Sequence, residues 1–198
     1  MNINQLVVAT KNHGKIREIE AALGATGIRV ISLDECGDIP EPVEDGATFL
    51  DNALLKAGYY MRATGKPCLA DDSGLEVDAL NGAPGVLSAR YAGDDATTAE
   101  RNAKLLRELT DVPEIARTAR FCCAMVIMNI DEKYIAAEGA CEGLIMREQR
   151  GADGFGYDPL FFSLDANQGM AELSMSEKNL ISHRGKALRG IVGQLVNC

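Results

Sequence analysis

The sequence predicts one α/β domain in two lobes around a cleft, and three observations predict it. An apolar run at 6–9 meets a polar turn and then apolar residues at helical spacing. Two long apolar runs, 121–130 and 134–145, flank a three-residue polar break. The last apolar residues again repeat at helical spacing, and no repeat, linker or low-complexity stretch interrupts the chain. Its 198 residues, 46% hydrophobic and 25% charged, suffice to bury roughly 70% of the surface that an unfolded chain exposes.

Residues 6–9 read as a strand, 10–14 as its polar turn, and Ile16, Ile19 and Leu23 as one face of a helix stopped by Gly24. A second strand covers 28–33, and 34–46, rich in proline, glycine and acids, is a loop. A longer helix spans 48–63, with Leu50, Ala53, Leu54, Ala57 and Met61 on one face and Gly65 at its end. Residues 67–70 lead into Asp71-Asp72-Ser73-Gly74 at a strand end. Another extended segment, 75–80, precedes the turn residues 81–85. Thr97 and Glu100 are spaced as a capping box for a helix packed through Ala103, Leu106 and Leu109. The runs 121–130 and 134–145 form a long hairpin around Asp131-Glu132-Lys133, so antiparallel strands lie beside the early strand-helix units. A glycine-rich loop over 151–158, a short strand at 160–162 and a helix carrying Ala187, Leu188, Ile191, Val192 and Leu195 complete the chain.

Composition narrows the function. No apolar run reaches the roughly 18 residues needed to cross a membrane, and the first residues lack the basic and long apolar stretches of a signal peptide. A soluble, cytoplasmic protein is expected. Six cysteines include no CxxC pair, and Cys122 and Cys123 are adjacent, which favours buried free thiols over disulfides or a metal cluster. A formal charge of −9 disfavours a nucleic acid partner, whose phosphate backbone requires a basic face. Any phosphate site must then be local. Lys11, Lys15, Lys56, Lys178 and Arg184 each lie in or beside a segment containing glycine, serine or asparagine.

Four segments carry chemistry. Thr10-Lys11-Asn12-His13-Gly14-Lys15 joins a strand to a helix, where unpaired backbone N–H groups suit a phosphate; an ordinary turn has the same spacing, and neither a Walker A loop nor a GxGxxG turn is present. Asp71 and Asp72 repel unless a cation lies near, and Mg2+ prefers such oxygens, with Glu44 and Asp45 able to approach from the preceding loop. A solvated Asp-Asp-Ser-Gly turn is the other reading. Gly154-Phe155-Gly156-Tyr157-Asp158-Pro159 sets aromatics between glycines, which suits stacking on a base, with an adjacent acid for a ring N–H or a sugar hydroxyl; core packing is the alternative. Ser182-His183-Arg184-Gly185 supplies donors at a helix start, or simply a cap and a surface charge. Two histidines do not make a zinc site, and no GxSxG elbow supports a serine triad.

Taken in order, these segments closely resemble the inosine triphosphate pyrophosphatase family. Glu44-Asp45-Gly46-Ala47-Thr48-Phe49, Asn52-Ala53-Leu54-Leu55-Lys56-Ala57 and Gly82-Ala83-Pro84-Gly85-Val86-Leu87-Ser88-Ala89-Arg90-Tyr91 fit between them, so the match spans nearly the whole chain. The resemblance implies an elongated mixed β-sheet flanked by helices, a nucleotide cleft between two lobes, and a homodimer. It implies Mg2+-dependent hydrolysis of ITP, dITP, XTP and dXTP to monophosphate and pyrophosphate. It assigns the phosphates to Thr10, Lys11, Asn12, His13, Gly14, Lys15 and Lys56, with Lys11 and His13 acting only through their backbone. Glu44 and Asp72 are the implied metal ligands, Asp72 also the base that activates water. Ser73, Phe155, Gly156, Tyr157, Asp158, Lys178, His183 and Arg184 are implied to hold the rest of the nucleotide. A Maf-like pyrimidine or modified-nucleotide pyrophosphatase and a non-catalytic nucleotide-binding protein are the competing readings.

Overall fold

A computed structural model describes residues 3–196, except the side chains at 13, 14 and 25. The candidates His13 and Gly14 are therefore described only as the start of a helix, and Cys198 lies outside the described residues. Seven strands form one open mixed sheet in the order β2-β1-β3-β4-β5-β6-β7. They are β1 (Gln5–Val8), β2 (Arg29–Ser32), β3 (Cys68–Val77), β4 (Thr118–Met128), β5 (Tyr134–Ile145), β6 (Phe161–Ser163) and β7 (Gln168–Gly169). The helices are α1 (His13–Leu23), α2 (Phe49–Thr64), α3 (Thr98–Glu108), α4 (Met175–Ile181) and α5 (His183–Val196). Strand β1 pairs in parallel with β2 and β3, whereas β6 is antiparallel to β5 and β7. The expected flanked mixed sheet is therefore present.

The chain forms two compact units. The first comprises 1–72, 123–138 and 187–198, the second 73–122 and 139–186. In the first, strand alternation sorts the core onto two faces. Leu6 and Val8 of β1, Leu69 of β3 and Cys123, Met125 and Ile127 of β4 pack with Ile16, Ile19 and Leu23 of α1 and Ala187, Leu188 and Ile191 of α5. Val7, Cys68, Ala70, Ala124 and Val126 face the other way, toward α2. Ala53 and Ala57 on α2 are fully buried, and their small side chains let the helix lie close over Ala70 and Ala124. A capping box at Thr48 and Asp51 starts α2, and Gly65, at φ 65°, ends it.

The second unit packs Leu75 and Val77 of β3, Leu105 and Leu109, Phe121 of β4, Cys141 and Ile145 of β5, and Tyr157, Leu160 and Phe161 into one core. Arg117, 1% exposed, lies within this unit. Its guanidinium donates to the carbonyls of Leu109, Ile145 and Met146, fastening the chain just after α3 to the end of β5.

Three expectations change. The acids at 71 and 72 do not end a strand, because β3 runs unbroken from Cys68 to Val77 through all of Asp71-Asp72-Ser73-Gly74. Leu106 of α3 and Leu109 just after it pack on the core as expected, but the buried face starts at Asn102 and Leu105, whereas Ala103 points to solvent. Helix α4 stands where no element was expected, opened by a capping box at Ser174 and Glu177.

Candidate active site

Because β3 is extended through Asp71 and Asp72, the two carboxylates leave the sheet on opposite faces. Asp71 shares the α1 face, and both of its oxygens accept from Lys15 Nζ, at 3.0 and 2.8 Å. Asp72 shares the α2 face. There Lys56 Nζ donates to its Oδ1 at 3.0 Å and Asn52 Nδ2 to its Oδ2 at 3.1 Å. Asn52 and Lys56 stand one turn apart on α2, so both reach the same strand position. The repulsion expected between neighbouring acids is thus relieved by one lysine from each flanking helix.

Lys56 also donates to Glu44 Oε2 at 3.1 Å, drawing the acidic loop toward α2. Burial alone would pull its ammonium down, but Asp72, Asp71 and Glu44 outweigh that and hold Lys56 above the ordinary lysine range, so it is charged at neutral pH. Asn52 ties the same loop from its other end, accepting from Gly46 N at 2.8 Å. A Cβ at Gly46 would press on Asn52 Oδ1 and on the backbone N of Asn52, so this close approach requires glycine.

The turn before α1 is held by its own polar side chains. Asn12 caps the helix by accepting from Lys15 N at 3.2 Å, and Thr10 Oγ1 accepts from Asn12 N at 3.1 Å. Lys11 reaches Glu41 at 3.3 Å in an exposed pair, worth little by itself. Thr10, Lys11, Lys15, Lys56, Glu41, Glu44 and Asp71 line a recess of ≈ 200 Å³ together with Ala9, Leu33, Pro42 and Tyr60. Of the candidates, Thr10, Lys11, Lys15, Lys56 and Glu44 thus share one hollow with Asp71, while Asn12 and Asp72 are not among its lining residues. Asp45 does not line it.

The second unit gathers the remaining candidates. Phe155 is 52% exposed, with Lys178 Nζ 4.7 Å and Arg184 Cζ 5.5 Å from its ring centroid. Asp158 is buried and organises the loop, its Oδ2 accepting from Lys178 Nζ at 2.5 Å and from Phe155 N at 2.7 Å. Gly154, at φ 84°, is needed because a Cβ there would collide with Asp158 Oδ2. Tyr157 lies in the core and donates to the Ser88 carbonyl at 2.9 Å, so it supports the platform while Phe155 offers the open ring. Asn102 completes the support, its Nδ2 donating to the Gly156 carbonyl at 3.2 Å.

Ser182 caps the start of α5 through Gly185 N at 3.1 Å. The alternative of a surface charge at Arg184 does not hold. Both His183 and Arg184 are buried, the imidazole stacked on Phe121 with centroids 4.9 Å apart and Arg184 Nη2 donating to Ser73 Oγ at 3.2 Å. Gly185 permits this packing, since a Cβ would strike the carbonyl oxygen of Asn179. Rigid, buried donors beside an exposed aromatic face form a set suited to reading the edge of a stacked base.

A model of the Ham1 family matches residues 6–194, spanning both groups of residues. The chain belongs to the Ham1 family. A dITP/XTP pyrophosphatase of Desulforamulus reducens is 52% identical over 185 residues, covering 93% of this chain and 92% of that one. Another, of Geobacter sulfurreducens, is 50% identical over 186 residues and covers 94% of each. The structure of a HAM1 protein from Coxiella burnetii superposes with a TM-score of 0.93 at 42% identity, covering 99% of this chain and 100% of its own. Ham1 membership bears out the resemblance carried by the ordered segments, and the Maf-like and non-catalytic readings gain no support from these relatives.

Two residues that position the candidates, one in each unit, carry no role in the sequence reading. Asn52 enters there only within a segment that carries the resemblance, with no role of its own, and Asn102 does not enter at all. The signal available for each was a polar amide interrupting the buried face of an amphipathic helix, where an unpaired side chain is costly.

Proposed function

We propose that the protein hydrolyses non-standard purine nucleoside triphosphates, namely ITP, dITP, XTP and dXTP, to the monophosphate and pyrophosphate, and so cleanses the nucleotide pool. The carrying observation is Lys56, held between Glu44 and Asp72 in a recess that also presents Thr10 and Lys15. Lysines and a helix N-terminus suit a triphosphate, and an oriented carboxylate suits activation of water. The dITP/XTP pyrophosphatase relatives support the reading.

Asp72 is assigned as the base, taking a proton from the water that attacks the α-phosphorus. Asn52 fixes its Oδ2 and so orients the carboxylate. Thr10, the 11–14 backbone, Lys15 and Lys56 are assigned to the phosphates. Mg2+ fits the donor set, since Glu44 and Asp72 converge on one cation with hard oxygen ligands, and this ion binds through one or two carboxylates plus substrate phosphates. When bound it would supply charge neutralisation for the departing pyrophosphate. Phe155 is assigned to stack on the purine, with Ser73, Gly156, Tyr157, Asp158 and Lys178 shaping that part of the site. His183 and Arg184 donate to the 6-keto oxygen. Adenine presents an amino group there, which leaves buried donors unmatched; such mismatches discriminate by on the order of 10^4 in a dry site.

With Mg2+ the purified protein should release pyrophosphate, not single phosphates, from ITP, dITP and XTP much faster than from ATP. Equal turnover of ATP removes the purine-selectivity assignment, and release of orthophosphate removes the cleavage assignment. The working form is assigned as a cytoplasmic homodimer, which light scattering of the eluting protein tests; a monomeric mass refutes the dimer.

A further inference from the structure

One ammonium fills the position between the two carboxylates assigned to the metal. Lys56 Nζ takes Asp72 Oδ1 at 3.0 Å and Glu44 Oε2 at 3.1 Å, while Asn52 keeps Asp72 Oδ2. A divalent cation must use those same contested oxygens, so it and Lys56 compete for one place. The recess beside them is also formally balanced, with Lys11, Lys15 and Lys56 set against Glu41, Glu44 and Asp71. A bare triphosphate gains little net attraction from such a lining. A bare cation must part a mostly buried lysine from both of its carboxylate partners.

We infer that Lys56 is a stand-in for the metal: the protein takes its nucleotide as the metal–triphosphate chelate, and Lys56 leaves the carboxylate pair for the phosphates as the chelate arrives. This rests on the metal and phosphate assignments under Proposed function and adds a rule for binding. Metal and triphosphate each bind weakly alone and strongly together, because each provides what the other displaces.

Calorimetric titration of Mn2+ into the nucleotide-free protein, and into protein saturated with the α,β-imido analogue of ITP, tests this without turnover. In the wild type the analogue should tighten Mn2+ binding about tenfold or more. Lys56→Met should bind Mn2+ more tightly than the wild type without the analogue, by about tenfold, and show a reduced further gain with it. Lys56→Arg keeps a cation between the acids and should stay weak. Thermal melts confirm that each variant is folded, with Lys56→Gln replacing the Met variant if that one is not. A folded Lys56→Met or Lys56→Gln protein that binds Mn2+ no more tightly than the wild type overturns the inference. Glu44→Gln and Asp72→Asn then separate the causes. If either abolishes Mn2+ binding, the metal assignment stands and only the stand-in fails; if neither changes it, the metal assignment falls and takes the inference with it.

Discussion

Exchanging the two side chains of one hydrogen bond should separate the fold from the chemistry. Asp72 accepts from Lys56 at Oδ1 and from Asn52 at Oδ2, so both oxygens are used as acceptors. An asparagine placed at position 72 has one acceptor, and whichever way its amide turns, an NH2 meets either the Lys56 ammonium or Asn52 Nδ2. One donor is left unmade in a mostly buried place, at a cost of about 1–3 kcal/mol. That is less than the roughly 5–15 kcal/mol that holds such a domain folded, so Asp72→Asn should remain native. Turnover should fall by about 10^2 to 10^4, the usual contribution of a positioned base. Adding Asn52→Asp restores the pairing in reverse. The carboxylate introduced at position 52 accepts from the new amide at position 72 and still accepts from Gly46 N, the amide oxygen accepts from Lys56, and the charge count is unchanged. An acid in the first turns of α2 is also favoured by the helix dipole. Urea melts of the wild type, both single variants and the double variant should therefore show the double variant regaining most of the lost stability, while pyrophosphate release stays as low as in Asp72→Asn. Recovery of turnover in the double variant would show that charge near Lys56, not a carboxylate at position 72, does the chemistry. A double variant no more stable than Asp72→Asn would refute the hydrogen-bond account.

Removing the brace under the proposed base platform, Asn102→Ala, should lower the ratio of kcat/KM for ITP over ATP by about fivefold, the worth of one hydrogen bond, through a slackened Gly156 carbonyl. A variant that is merely less stable lowers both substrates alike and leaves the ratio unmoved. Arg117→Ala should cost about 3 kcal/mol or more in urea denaturation, because three carbonyls lose their donor and a buried side chain leaves a void. Arg117→Lys should rescue little of it, since one ammonium cannot reproduce the guanidinium fork; full rescue contradicts that geometry. Burial, with Cys36 nearby, pushes the Cys68 thiol up to about 12, whereas the unfolded thiol ionises near its ordinary 9.0. The folded state therefore holds its proton longer, and this contribution is intact below about pH 9 and lost as pH rises toward 12. The urea midpoint should decline above pH 9, less steeply in Cys68→Ala, and identical slopes in the two proteins would exclude the thiol as a source.

Legibility in the sequence followed the physics of each element. Helices α1 and α5 were legible because their apolar residues repeat at helical period, and the β4–β5 hairpin because two long apolar runs flank a short polar break. Strand β3 was broken too early in the reading, since aspartate, serine and glycine are poor strand residues and good turn residues. What keeps them extended is tertiary: Lys15 on one face, Lys56 and Asn52 on the other. Helix α4 had a readable start, Ser174 with Glu177, but its seven residues lack a sustained apolar period. The face of α3 was legible at Leu106 and Leu109 but not at its start, because hydrophobicity favours Ala103 over Asn102, while burial selects the amide that reaches Gly156. The charged site segments stood out, and the amides that position them did not, because an amide's value lies in which partner it meets. The adjacent acids show the difference most clearly. As a string, Asp71-Asp72 says that a cation is required; only alternation along β3 says that there must be two, one from each flanking helix. The same alternation leaves Asp72 with the cation that sits on Glu44 as well, and that shared lysine, not the adjacency of the acids, is the observation on which the proposed exchange for a metal–triphosphate chelate rests.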